Sequence, residues 1–423
     1  MSGGGAMRRL PWLLAVAGCA AAPTQAPVPS VPSGAMAPAE GGAASATAPV
    51  ESGAAPAGSG AAPAESGAAP AGSGAASAAA PVGSGVPLDA PSTSEAAAAS
   101  PPPRVARGTG TAADRKLEEG DVAYANGDFA AAEEAYRAAV RLDRKDAAAI
   151  VGVQRAAIAR AGVSAEYNGA PDDRTLLAAI PELRRAAALE PGYAPAHLEL
   201  GRALLVLGRA DSALVELTRA AELAPSDAEA RSALGVAHLA LGDLQDAVRE
   251  LTRSAELAPG DAERQANLGT ALLAAGRTAD AIRAYERAAR LSPADARLQN
   301  DLGTALLAAN DPARAVPHLE AAVARDPARA TYRSNLGYAH HLRGDLPKAT
   351  ALYREALKLD ERLGSAWINL GNALAQSGQM KEARAAYERA RAIDPSDPRV
   401  KAVMDELDAL ERRRDAPSRA APR

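Results

Sequence analysis

The chain has 423 residues, a net charge of −4, and only one Phe, two Trp and one Cys. So mild a charge leaves no basic stripe for nucleic acid. A single cysteine excludes an internal disulfide framework and a multi-cysteine zinc site. With few aromatic residues, alanine and leucine must fill the interior. Both are strong helix formers, so the composition predicts an all-α protein of closely approaching helices.

Met7-Arg8-Arg9 is a basic start, and Leu10 to Gly18 is a short apolar run. No apolar run reaches the roughly 18 residues that span a bilayer, so this one reads as a secretory signal. It ends in Val16-Ala17-Gly18-Cys19, which resembles the lipobox of bacterial lipoproteins. That resemblance implies a signal over residues 1–19, cleavage before Cys19, and a lipid on its sulfur that holds the protein to a membrane. A plain signal peptide cut near Ala22 is the other reading. The only thiol stands at the one place lipidation needs it. Ala20 is not the Asp that enteric lipoproteins use for inner-membrane retention. The resemblance therefore points to the outer membrane, facing the periplasm.

Residues 20–112 are rich in Ala, Pro, Gly and Ser, and Glu51 to Gly60 recurs from Glu65 to Gly74. Such a composition cannot bury a core, so the expectation is a disordered linker. As a flexible coil it would span on the order of 50 Å. It serves as a tether to the anchor, or it is low-complexity drift; the sequence allows both.

From residue 113 to 397 a period of about 34 residues sets in. Leu-Gly pairs recur at Leu200-Gly201, Leu234-Gly235, Leu268-Gly269, Leu302-Gly303, Leu336-Gly337 and Leu370-Gly371. Twelve residues past each Gly stands an Ala, from Ala213 to Ala383, and seven further on another small residue, from Ala220 to Ala390. A mid-helix Gly costs about 1 kcal/mol relative to Ala, so its recurrence in register marks close helix crossings. Turns carry Gly208, Gly242, Gly276, Asn310, Gly344 and Gly378, where a left-handed residue ends a helix. Pro225, Pro259, Pro293, Pro327 and Pro395 then stop the second helix of a unit, with Glu361 in that place in the seventh.

This pattern resembles the tetratricopeptide repeat family. The resemblance implies a right-handed superhelical solenoid of stacked helix-turn-helix units, eight of them over 113–397. The copy at 147–193 is degenerate, with Gln154 in place of Gly and an insertion of about 13 residues between Gly162 and Arg174. Residues 398–414 read as a last helix, with Val400, Val403, Met404, Leu407 and Leu410 on one face to cap the open end. Residues 415–423 read as a disordered tail.

No phosphate-binding glycine loop, zinc-protease helix or nucleophile elbow is present. The chain reads as a non-enzyme with no cofactor and no metal. His340 and His341 are adjacent and so point in different directions on a helix.

In the resembled family the first helix of each unit lines a concave groove. By position this puts Asn267, Asp301, Asn335 and Asn369 (two before Gly) and Thr270, Thr304, Tyr338 and Asn372 (one after) in a partner-binding face. Amides both donate and accept, so a row of them suits an extended backbone. Leu205, Leu239, Leu273 and Leu307 form either an apolar strip in that groove or core between units. Ser334 stands where the family's carboxylate clamp needs Lys.

The function expected is a membrane-tethered protein-interaction scaffold or assembly factor of the bacterial cell envelope, binding a peptide or helix. Its layout is similar to lipoproteins that help envelope machines assemble. The alternative is a non-catalytic subunit or substrate-presenting arm of an enzyme complex for polysaccharide or cell-wall synthesis.

Overall fold

The computed structural model describes residues 104–163 and 167–415. Among them are seventeen α-helices and no strand. Cys19, the signal and most of the expected linker lie outside these residues.

Sixteen helices form eight consecutive antiparallel pairs. They are α1 (Ala112–Ala125) with α2 (Phe129–Leu142), α3 (Ala147–Arg160) with α4 (Arg174–Leu189), and α5 (Ala194–Val206) with α6 (Ala210–Leu223). Next come α7 (Ala228–Leu241) with α8 (Leu244–Leu257), α9 (Ala262–Ala274) with α10 (Thr278–Leu291), and α11 (Ala296–Ala308) with α12 (Pro312–Arg325). The last pairs are α13 (Ala330–Leu342) with α14 (Leu346–Leu359) and α15 (Gly364–Gln376) with α16 (Met380–Ile393), after which α17 (Pro398–Asp415) follows. Each helix packs on the next, and each odd helix from α1 to α13 also touches the next odd helix. Crowding of the odd helices puts them on the inner side of a curved stack.

Local chemistry fixes the boundaries. Between α8 and α9 runs Pro259-Gly260-Asp261. The proline follows the helix end, and the Asp261 carboxylate accepts the amides of Glu263 and Arg264 at 2.9 and 3.3 Å. Asp227 and Asp295 cap α7 and α11 in the same way. Each cap contributes about 1 kcal/mol. Asn310 takes φ 57°, filling the left-handed turn position that glycine holds in the neighbouring pairs.

The glycine register is a packing device. A Cβ on Gly269 would sit 3.0 Å from the Tyr285 ring, and one on Gly303 would sit 2.6 Å from Leu319 Cγ. The small residues opposite, Ala281, Ala288, Ala315 and Ala322, are fully buried. Ser254 keeps that size and donates its hydroxyl to the Ala228 carbonyl at 2.7 Å. The buried apolar side chains form two clusters, Val105 to Ala237 and Ala247 to Leu407, with Leu239 touching both. Leu205, Leu273 and Leu307 are buried members of these clusters, so the leucine series is core. Val400, Met404 and Leu407 of α17 close the second cluster, and Asp408 pairs with Arg384 of α16 at 2.5 Å.

The structure departs from the sequence expectation in three places. The linker was expected to run to residue 112, yet residues 104–111 pack on the array, with the Val105 side chain buried. In the degenerate copy, close approach belongs to Gly152, whose Cβ position is 2.6 Å from the Tyr136 ring, and the register residue Gln154 plays no such part. The insertion folds onto the next pair. Asn168 and Ala170 donate their amides to the Leu205 and Val206 carbonyls at 3.0 and 3.3 Å, satisfying the end of α5.

Candidate protein-binding face

Two rows of side chains on the odd helices define the inner face. The row one past the close-contact glycine works within a pair. Where the even helix presents a tyrosine to that glycine, its phenol reaches across to this row. Tyr136 donates to Asp121 Oδ1, Tyr285 OH shares a hydrogen bond with Thr270 Oγ1, and Tyr387 donates to Asn372 Oδ1, each at 2.8 Å. Thr270 also bonds the Ala266 carbonyl at 3.1 Å, so the Tyr285 phenol is the donor in that pair. Where Leu319 stands opposite Gly303 instead, Thr304 returns its hydroxyl to the Asp301 carbonyl at 2.9 Å.

Tyr353 breaks the pattern. Its register partner is Tyr338, and its buried hydroxyl has no hydrogen bond. Burial pushes the Tyr353 phenol well above its ordinary range and raises Tyr338 to about 12.

The row two before the glycine works between pairs. Asn267 Nδ2 donates to Ser232 Oγ at 3.2 Å, and Asn335 Nδ2 donates to Asn300 Oδ1 at 2.8 Å. Asp301 accepts from Arg297 at 3.3 Å and from Asn300 at 3.4 Å. Asn267 is 0% exposed, and Asp301 and Asn369 are 3% exposed. The expected accessible amide ladder is therefore corrected at these three positions. Asn267 and Asn335 bond the preceding pair and so join repeats to each other, whereas Asp301 bonds Arg297 and Asn300 of its own helix. Of the eight expected groove residues, Thr270, Thr304, Asn335 and Asn372 are half-buried and Tyr338 is buried.

Charge pairs that sequence reading missed run along the same face. Arg155 is 5% exposed and reaches Asp121 at 3.4 Å and the Tyr136 hydroxyl at 3.2 Å. It also stacks 4.1 Å over the Tyr124 ring. Arg202 pairs with Glu229, and Arg297 with Glu263. Burial alone would lower the Arg297 guanidinium, but Glu263, Asp301 and Asp295 more than offset it and raise it above its ordinary value. The signal was present in the register. Asp121 and Arg155, like Glu263 and Arg297, are opposite charges one 34-residue period apart.

Comparison with known proteins agrees with this architecture. Models described as tetratricopeptide repeat match residues 117–153 and 300–364 in one case, and 173–235 and 340–407 in another. A bacterial transcriptional activator domain model matches residues 215–295. In the structure these run from α6 to the start of α11, in helix pairs of the same kind as their neighbours. No curated protein matches the sequence.

Among solved structures, the Cut9–Hcn1 hetero-tetramer of the APC/C is similar with a TM-score of 0.53 at 15% identity. That match covers 68% of this chain and 55% of the other, and shows the fold. YrrB, a TPR protein with an unusual peptide-binding site, matches at 21% identity with a TM-score of 0.36, covering 45% of this chain and 97% of its own. Pseudomonas aeruginosa PilF matches at 19% identity with a TM-score of 0.43, covering 50% and 97%. Paired helices in a 34-residue register, glycines against tyrosine or leucine, and the matching models together make this chain a member of the tetratricopeptide repeat family, an all-helical superhelical solenoid of the kind that serves as a protein-interaction scaffold.

Proposed function

We propose that the chain is a membrane-tethered scaffold or assembly factor of the bacterial cell envelope. It holds a peptide or helix of a protein partner against the inner face of α9, α11, α13 and α15. The observation that carries this reading is the half-buried polar row Thr270, Thr304, Asn335 and Asn372, one residue on each of four successive inner helices. Hydroxyls and amides donate and accept, so such a row suits main-chain groups of a partner whatever its side chains. Photo-crosslinking amino acids at Asn335 and Asn372 are expected to capture a protein partner in intact cells. Capture no better than from Arg287, exposed on α10, would refute the groove.

The tether part of the proposal rests on the lipobox-like Val16-Ala17-Gly18-Cys19 and the Ala/Pro/Gly/Ser-rich stretch after it. The lipid on Cys19 holds the chain to the outer membrane, facing the periplasm. Cys19→Ala is expected to move the protein from the membrane to the soluble fraction. An unchanged distribution would refute the anchor and leave the groove test unaffected.

A further inference from the structure

We infer that the inner face of the first three helix pairs is a second binding site, built for an extended segment with an apolar residue followed two positions later by arginine. The chain's own Val105-Ala106-Arg107 occupies it. The grip on the main chain is direct. The Val105 amide donates to both Asp121 oxygens at 3.1 Å, and the Ala106 amide donates to Oδ2 at 3.0 Å. The Arg107 amide donates to Asp114 at 2.7 Å, and the Tyr193 hydroxyl donates to the Val105 carbonyl at 3.1 Å. Two side chains supply selectivity. Val105 is buried in the first apolar cluster. The Arg107 guanidinium lies 4.9 Å over the Tyr193 ring and pairs with Glu190 at 2.5 Å and Asp146 at 3.5 Å.

The gripping groups belong to the fold and not to the strap. Asp121 is already fixed by the Tyr136 hydroxyl and Arg155, and Tyr193 stands at the entrance of α5. Gly108 and Gly110 both take left-handed φ, near 70°, which turns the strap back along α1. An occupant joined to its site by so short a turn acts at an effective concentration in the mM range. A free segment of the same chemistry must therefore outcompete it, or meet a chain whose strap has been released. This site is distinct from the polar row on α9 to α15, and it does not rest on the proposed function.

The test uses the full chain with Val105→Asp and Arg107→Ala, which places a charge in the apolar cluster that holds Val105 and empties the guanidinium cradle. The probe is a fluorescent peptide of the sequence Arg104 to Gly110, followed by anisotropy. The peptide is expected to bind the released chain at least tenfold more tightly than the native chain. Replacing its valine by serine or its second arginine by alanine should each abolish most of that binding. Equal binding to both chains, binding to neither, or no preference over a scrambled peptide would overturn the inference. Specificity is read from the peptide variants, so no change to Asp121 is needed. If the double variant loses helical circular dichroism, Arg107→Ala alone serves, with the same outcomes deciding.

Discussion

At the position one past the repeat's glycine site, the first helix pair carries Asp121 after Gly120 and the second carries Arg155 after Gln154, both buried and charged. From α9 onward the same position carries Thr270, Thr304 and Asn372, all neutral and half-buried, with Tyr338 the exception. The two regions share one frame and differ in what the frame must satisfy. Buried charges need partners inside the protein, so the N-terminal face has gathered a phenol, a guanidinium and the amides of two folded-back residues, Val105 and Ala106, around the Asp121 carboxylate. Neutral groups need one hydrogen bond, which the tyrosine of the same pair supplies at Thr270 and Asn372. Among the described residues no segment of the chain folds back onto the C-terminal face, while Val105 to Arg107 take up the N-terminal one.

Breaking the charged centre should have the largest effect. Asp121→Ala removes one partner of the buried Arg155 and releases the Val105 and Ala106 amides, and should cost about 3 kcal/mol in urea unfolding. A loss below about 1 kcal/mol would mean that the charged face is no more demanding than the neutral one. Gly303→Ala tests the frame that both regions share. The added methyl has to displace Leu319, and overpacking of this kind costs about 1–3 kcal/mol.

A tyrosine pair sharpens the contrast within the C-terminal region. Tyr285→Phe removes the hydrogen bond to Thr270 and should cost about 1 kcal/mol, whereas Tyr353→Phe removes a hydroxyl with no partner and should be neutral or stabilising. Equal losses from the two substitutions would contradict the pairing rule.

The smallest effect concerns pH. His341 stands where Leu205, Leu273 and Leu307 stand in other pairs, and burial holds its imidazole below the ordinary value, against a hydrogen bond with Gln376 that raises it. The folded state then binds fewer protons than the unfolded chain below about pH 6.5. Its stability contribution is present above that pH and lost as pH falls. His341→Leu should flatten the drop in Tm between pH 7 and pH 5, as thermal melts at the two values would show.

The frame was legible because it repeats. Gly269, Ala281 and Asn310 announce themselves by recurring at one period, and each proved to be a close contact, a small neighbour or a left-handed turn. The direction of the asparagines was not legible. Asn267 sits on the helix that lines the inner side, but it is buried with its amide on Ser232 of the preceding pair, and only packing decides that. The strap was legible least of all. Val105 is one apolar residue in a polar stretch with no periodicity, and its partners lie 16 and 88 residues away. Gly152 escaped because it lies two residues before the register position Gln154, and close approach there follows the Tyr136 ring of the preceding pair.

Among the described residues, the chain closes its own N-terminal face with Val105 to Arg107 and leaves the C-terminal one uncovered. Hydrogen exchange of the full chain measures this directly. The amides of Val105, Ala106 and Arg107 should exchange as slowly as those of α1, and Asp121→Asn should release them while α13 to α16 keep their protection. Unprotected exchange of these three amides in the native chain would contradict it.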